Sequence, residues 1–127
     1  MTTLLTVVVP VRTVTEGNAK GYWRTAHRRA KEQRNATAWA LMGTVRWTGP
    51  GWRPQPPLTV KLTRIAPRQL DPGDNCNASM KHVRDEVAKW LCIDDRHEHL
   101  CRYEYAQEKG KPREYAVRIE IARRGSE

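Results

Sequence analysis

In a chain with 23 Lys and Arg against 14 Asp and Glu, the placement of the few acidic residues matters. Five aspartates, Asp71, Asp74, Asp85, Asp94 and Asp95, fall within 25 positions. Hydrolysis of a phosphodiester needs charge neutralised on the attacking and leaving oxygens. Carboxylates holding one or two divalent cations do this, with paired metals ~3.5–4 Å apart. Mg²⁺ takes oxygen ligands and keeps several waters, so a small carboxylate cluster suffices. Mn²⁺ accepts the same donors, and the residue types do not choose between the two. A positive surface around the cluster favours the ionised carboxylates. A lysine nearby can orient the phosphate or assist the nucleophile. Lys81 is the candidate, on the predicted helix face that also carries Asp74, Ala78 and Asp85.

Each of these residues has a plainer reading. Asp74 suits a helix cap. Lys81 and Asp85 stand four apart, the spacing of a weak surface ion pair. Asp94-Asp95 suits a turn. The two ends of the acidic segment meet only if the strand after the helix folds back beside the strand before it.

The positioning elements follow from periodicity. Residues 3–11, rich in Thr and Val, predict a first strand. A helix follows from Tyr22 to Met42, free of Pro and Gly. On it Arg24, Arg28, Lys31 and Asn35 share a face, with Arg34 at its edge, while Ala26, Ala30, Thr37, Ala40 and Leu41 fall on the other side. The basic face is either a solvated surface or a phosphate-contacting one. Residues 43–57 hold glycines and prolines at turn density and predict a surface loop. Its Trp47, Trp52 and Arg53 either stack on unpaired bases or staple the loop to the core. Leu58 to Ile65 alternates as a strand with an irregular end. A helix from Cys76 to Leu91 carries a core stripe of Met80, Val83, Val87, Trp90 and Leu91. Strands from Leu100 to Gln107 and from Tyr115 to Ile121 flank a turn, and 122–127 reads as a frayed tail. The expected fold is a single α/β (α+β) domain over 1–127, in the order β-α-β-α-β-β, with a mixed sheet and a terminal hairpin.

Composition narrows the functional classes. A net charge of +9 favours polyanionic partners. No stretch approaches the ~20 apolar residues of a membrane helix. No signal peptide is evident, so a cytoplasmic protein is expected. Cys76, Cys92 and Cys101 form no CxxC pair and no even set for disulfides. A zinc site would have to recruit His97 or His99 with Cys92 and Cys101, at a spacing that fits no common pattern, and no zinc is expected.

The run Leu70-Asp71-Pro72-Gly73-Asp74-Asn75, then Lys81, Val83-Arg84-Asp85 and Leu91-Cys92-Ile93-Asp94-Asp95, resembles the RusA-type Holliday junction resolvases and their phage relatives. Tyr105 to Lys111 and Tyr115 to Ile121 resemble the terminal hairpin of that family, and His27-Arg28-Arg29-Ala30-Lys31 resembles the N-terminal part of its phage branch. The resemblance implies a homodimeric, magnesium-dependent endonuclease that resolves four-way junctions by paired cuts. It implies Asp71, Asp74 and Asp95 as metal ligands, joined by Asp94, with Lys81 serving the phosphate or nucleophile and Asp85 supporting the site. DNA contacts are expected from Arg24, Arg28, Lys31, Arg34, Arg68 and Lys81. One departure stands out. The leading aspartates are two apart in the family and three apart here, where Pro72-Gly73 separates them. The alternative is an inactive branched-DNA-binding protein that keeps the fold.

Overall fold

The computed structural model describes residues 2–13, 23–70, 74–94 and 96–124. Strand β1 (Thr2–Val9) leads to the long helix α1 (Trp23–Met42) and a short helix α2 (Val45–Thr48). Strand β2 (Leu58–Ala66), helices α3 (Asp74–Ser79) and α4 (Lys81–Leu91), and strands β3 (Cys101–Lys109) and β4 (Ala116–Arg123) complete the order. The chain therefore forms an α+β domain with a mixed four-stranded sheet. None of its described helices is long and apolar enough to cross a membrane.

The strands lie in the order β1-β4-β2-β3. β4 runs antiparallel to both β1 and β2, and β3 runs parallel to β2. The expected hairpin of the last two strands is therefore absent, because β2 lies between them. Burial explains the placement. β2 is buried at every position except Lys61, so it needs a neighbour on each side, while β3 is exposed at four of its nine positions and suits an edge. The β3–β4 link then steps over the end of β2. Gly110 donates its N–H to the Ala66 carbonyl at 2.9 Å. A Cβ there would meet Ile65 Cγ2 at 3.0 Å, the Glu114 carbonyl at 3.2 Å and the movable end of the Glu114 side chain at 2.8 Å, so glycine eases this close passage.

One sheet face carries Val7, Val9, Leu58, Val60, Leu62, Val117, Ile119 and Ile121, which share a buried cluster with Leu41 of α1 and with Met80, Val83, Val87 and Leu91. Leu41, Met80, Val83 and Val87 are at most 1% exposed. The expected stripe on the second helix thus holds, with Trp90 packed at its margin. On the opposite face Arg118 reaches across β2 to Glu108 at 2.9 Å and along its own strand to Glu120 at 3.4 Å. That bridge lies over Thr63, which is paired in register with Arg118 and is only 3% exposed.

Three further expectations change. The helix expected over Cys76–Leu91 is two helices, broken at Met80 (φ −104°, ψ 12°). The residues before the break favour it, since Ser79 Oγ donates to the Cys76 carbonyl at 2.7 Å and Asp, Asn and Ser compete with helical bonding. Residues 43–57 contain α2 before they turn through Gly49 and Gly51 at φ 88° and 76°. Residues 122 and 123 belong to β4 rather than to a tail, and Arg124 is held to the Pro57 and His99 carbonyls at 3.0 and 2.6 Å.

Candidate nucleic-acid interface and acidic segment

Helix α1 has a clear division of faces. Ala30, Gln33, Thr37 and Leu41 are buried at three- and four-residue spacing. Arg28, Lys31, Asn35, Trp39 and Met42 follow the same spacing on the exposed side. Arg28 approaches Glu32 at 4.0 Å with both side chains largely in solvent, a contact worth little and easily exchanged for a phosphate. Arg34 turns towards α4, where it shares a shallow hollow of about 240 Å³ with Ala26, His27, Ala30 and His82. The side chain of Arg24 lies outside the described set. Arg68 is exposed, and its carbonyl accepts from Arg64 Nη1 at 2.9 Å.

The approach to the acidic segment is fixed by two residues that sequence patterning did not single out. Arg64 occupies an inward position of β2 and is 7% exposed. Its Nε donates to Thr13 Oγ1 at 3.2 Å, and its two Nη groups reach the Arg68 and Thr13 carbonyls at 2.9 and 3.4 Å. Burial lowers its pKa from the ordinary arginine value. Gln107 of β3 clamps Leu70 from both sides. Its Oε1 accepts from the Leu70 N–H at 2.7 Å and its Nε2 donates to the Leu70 carbonyl at 2.9 Å. The one signal for these two was negative, since each places a long polar side chain on an otherwise apolar strand face.

Asp71, Pro72, Gly73 and Asp95 lie outside the described residues, as does the side chain of Asp74. Asp74 opens α3, and Lys81 opens α4 with its side chain exposed. Because the helix breaks at Met80, Asp74 and Lys81 do not share one continuous helical face. Asp85 accepts from Arg84 Nη2 at 3.5 Å, and Arg84 Nη1 lies 3.4 Å from the Tyr105 hydroxyl. Asp85 and Asp94 line one hollow of about 330 Å³ with Lys89, Cys92 and Ile93. Asp94 also shapes its own turn. Its Oδ1 accepts from the Arg96 N–H at 2.9 Å, and its Oδ2 accepts from Arg96 Nη2 at 2.9 Å.

The strand after the helices does not fold back. β3 runs parallel to β2, with Leu58 opposite Cys101 and Ala66 opposite Lys109. The segment after Ala66 and the segment before Cys101 therefore leave opposite ends of the sheet. The 11 residues of α4 lie between Lys81 and Leu91, about 16 Å at 1.5 Å per residue. Among the described residues no three His, Cys, Asp or Glu side chains are grouped to hold a metal.

The chain matches no known family model and no curated protein.

The cysteines complete the chemistry. Cys76, Cys92 and Cys101 are free thiols. Burial pushes the Cys76 and Cys101 thiols up from the usual value, with the Arg64 guanidinium pulling Cys76 slightly back. Cys76 packs α3 against β3, with Sγ 3.9 Å from the Ala106 carbonyl. Of the tryptophan-loop residues, Arg53 is a staple. It stacks over the Trp90 ring at 4.3 Å and donates from Nε to the Trp90 carbonyl at 2.6 Å. Trp47 is 81% exposed.

Proposed function

We propose that this chain is a magnesium-dependent, structure-selective endonuclease that cuts four-way junctions or other branched DNA as a homodimer. The observation that carries the reading is the exposed cationic stripe of α1, Arg28 and Lys31, in a chain of net charge +9 whose aspartates are ordered as Asp71, Asp74, Asp85, Asp94 and Asp95. In this reading the ligands of Mg²⁺, or of Mn²⁺ in its place, would be Asp71, Asp74 and Asp95, joined by Asp94, although the parallel β2–β3 pairing sets Asp94 at the far end of α4 from Asp74. The oxygen donors of Asp85 and Asp94 around one hollow are the kind such a cation takes. A cation held there would supply charge neutralisation at the phosphate. Lys81 orients a phosphate oxygen, Asp85 supports the site through its contact with Arg84, and Gln107 with Arg64 fixes the chain that enters Asp71. The cations Arg24, Arg28, Lys31, Arg34 and Arg68 hold the sugar-phosphate backbone.

A second reading is a branched-DNA-binding protein that does not cut. Two observations favour it: the parallel β2–β3 pairing, which separates the ends of the acidic segment, and the engagement of Asp94 by Arg96.

Incubation of the protein with a labelled four-way junction, in Mg²⁺ and in EDTA, separates the two. Paired, metal-dependent nicks near the branch point are expected, and Asp74→Asn is expected to abolish them while retaining junction binding. Tight binding without cleavage in Mg²⁺ or Mn²⁺ establishes the second reading. Cleavage by Asp74→Asn at the unmutated rate removes Asp74 from the site.

A further inference from the structure

The exposed large apolar side chains Val8, Trp39, Met42 and Trp47 gather at the C-terminal end of α1. Trp39 is 74% exposed, Trp47 81%, Met42 60% and Val8 55%. Trp39, Met42, Arg46 and Trp47 line one groove of about 640 Å³ against the edge of β1 from Leu5 to Val8. Lone exposed apolar residues are ordinary, but a contiguous patch marks a binding site. Both indoles line this one groove, and an indole face is a stacking surface for flat rings.

We infer that Trp39 and Trp47 form a stacking platform for unpaired nucleobases, continuous with the cationic stripe of α1. Trp39 stands on the same exposed line as Arg28, Lys31 and Asn35. Trp39 stands eleven positions after Arg28, so the two lie about 16 Å apart along the axis. That length spans about five phosphates of a stacked strand. A strand held by its phosphates at Arg28 and Lys31 thus delivers its bases to Trp39 and Trp47. Arg46, exposed at the rim of the groove, supplies the cation for the phosphate beside the stacked base. Charge favours this ligand. The groove is lined by Arg46 and by no acidic side chain among the described residues, and a polyanion is drawn to a surface flanked by Arg28, Lys31 and Arg46. Stacking on aromatic rings tolerates any base, so the platform would hold bases splayed at a branch point whatever their sequence.

The inference rests on the proposed DNA-binding reading, and one titration distinguishes their failures. Intrinsic tryptophan fluorescence is followed in EDTA as two probes of about 12 nucleotides are added, an oligothymidylate and an abasic strand with the same phosphates. The oligothymidylate should quench fluorescence and bind at least about 5-fold more tightly. Trp39→Ala and Trp47→Ala should each weaken its binding by about 5- to 100-fold, leave the salt dependence unchanged, and leave the abasic strand unaffected. Trp39→Phe should retain most of the affinity. Circular dichroism melts check that the variants fold, as expected for side chains so exposed. Equal affinity for both probes, or unchanged affinity in both alanine variants, overturns the platform and leaves the DNA-binding reading standing. No binding of either probe by the unmutated protein overturns the platform, and the DNA-binding reading falls with it only if the labelled four-way junction also fails to bind in EDTA. If sedimentation shows that the alanine variants dissociate a dimer without a change in base-dependent binding, the surface belongs to a second copy and the inference falls.

Discussion

Cys92 shows how much a single backbone position contributes here. It ends α4 in left-handed backbone, at φ 60° and ψ 32°. Its N–H bonds the Lys89 carbonyl at 3.1 Å and the next N–H, of Ile93, bonds the Ala88 carbonyl at 3.2 Å. This is the helix-ending pattern that glycine usually serves. Ile93 and Ala88 are both buried and supply its apolar contact. A side chain in this conformation costs about 1–2 kcal/mol, part of which glycine loses again to unfolded-state entropy. Cys92→Gly should therefore stabilise the fold by about 0.5–1 kcal/mol, read as a rise of a few degrees in thermal midpoint. The thiol is exposed, so its removal leaves no cavity. An unchanged or lower midpoint would show that the Cys92 side chain contributes packing that its exposure conceals.

At the scale of elements, β3 is both an edge strand and the clamp on the acidic segment. The Gln107 amide replaces the next strand partner for Leu70 by offering one acceptor and one donor. Each net hydrogen bond contributes about 0.5–1.5 kcal/mol. Gln107→Ala should therefore lower stability by about 1–2 kcal/mol, seen as a lower urea midpoint at unchanged slope. If the chain also cuts junctions, the variant should cut more slowly than its loss of stability explains, because the residues after Leu70 lose their anchor. A normal rate would mean that Arg64, through its bond to the Arg68 carbonyl, suffices to hold the segment.

At the scale of the whole molecule, α1 carries Arg24, Arg28, Arg29, Lys31 and Arg34 against Glu32, a net +4 of the chain's +9. Between Arg28 and Lys31 the helix offers three basic residues, Arg28, Arg29 and Lys31, while the open sheet face offsets Arg118 with Glu108 and Glu120. Counterion release makes binding to DNA fall with salt in proportion to the phosphates neutralised. Arg24→Ala with Arg28→Ala should weaken junction binding and lower the slope of log affinity against log salt by roughly 2. A slope equal to that of the unmutated protein would remove α1 from the DNA surface.

The sequence by itself determined most of the elements and which face of each is buried. The helical spacing of Ala30, Thr37 and Leu41 on α1, seven and four residues apart, and of Met80, Val83, Val87 and Leu91 beyond it, survives into the core, because burial of apolar surface dominates the choice of face. The basic outer stripe of α1 was legible for the same reason. Only the tertiary structure decided which strands are neighbours. Alternation says which side chains share a face, but nothing about the partner across the hydrogen bonds, so β4 beside β2 and β3 at the edge were not readable. Nor was the break at Met80, where local side-chain bonds by Ser79 outweigh helical continuity. The roles of Arg64 and Gln107 were hidden for a related reason. Each bonds main-chain groups that are distant in sequence, 51 residues away for Thr13 and 37 for Leu70, and the need to satisfy buried polar groups is set by the fold.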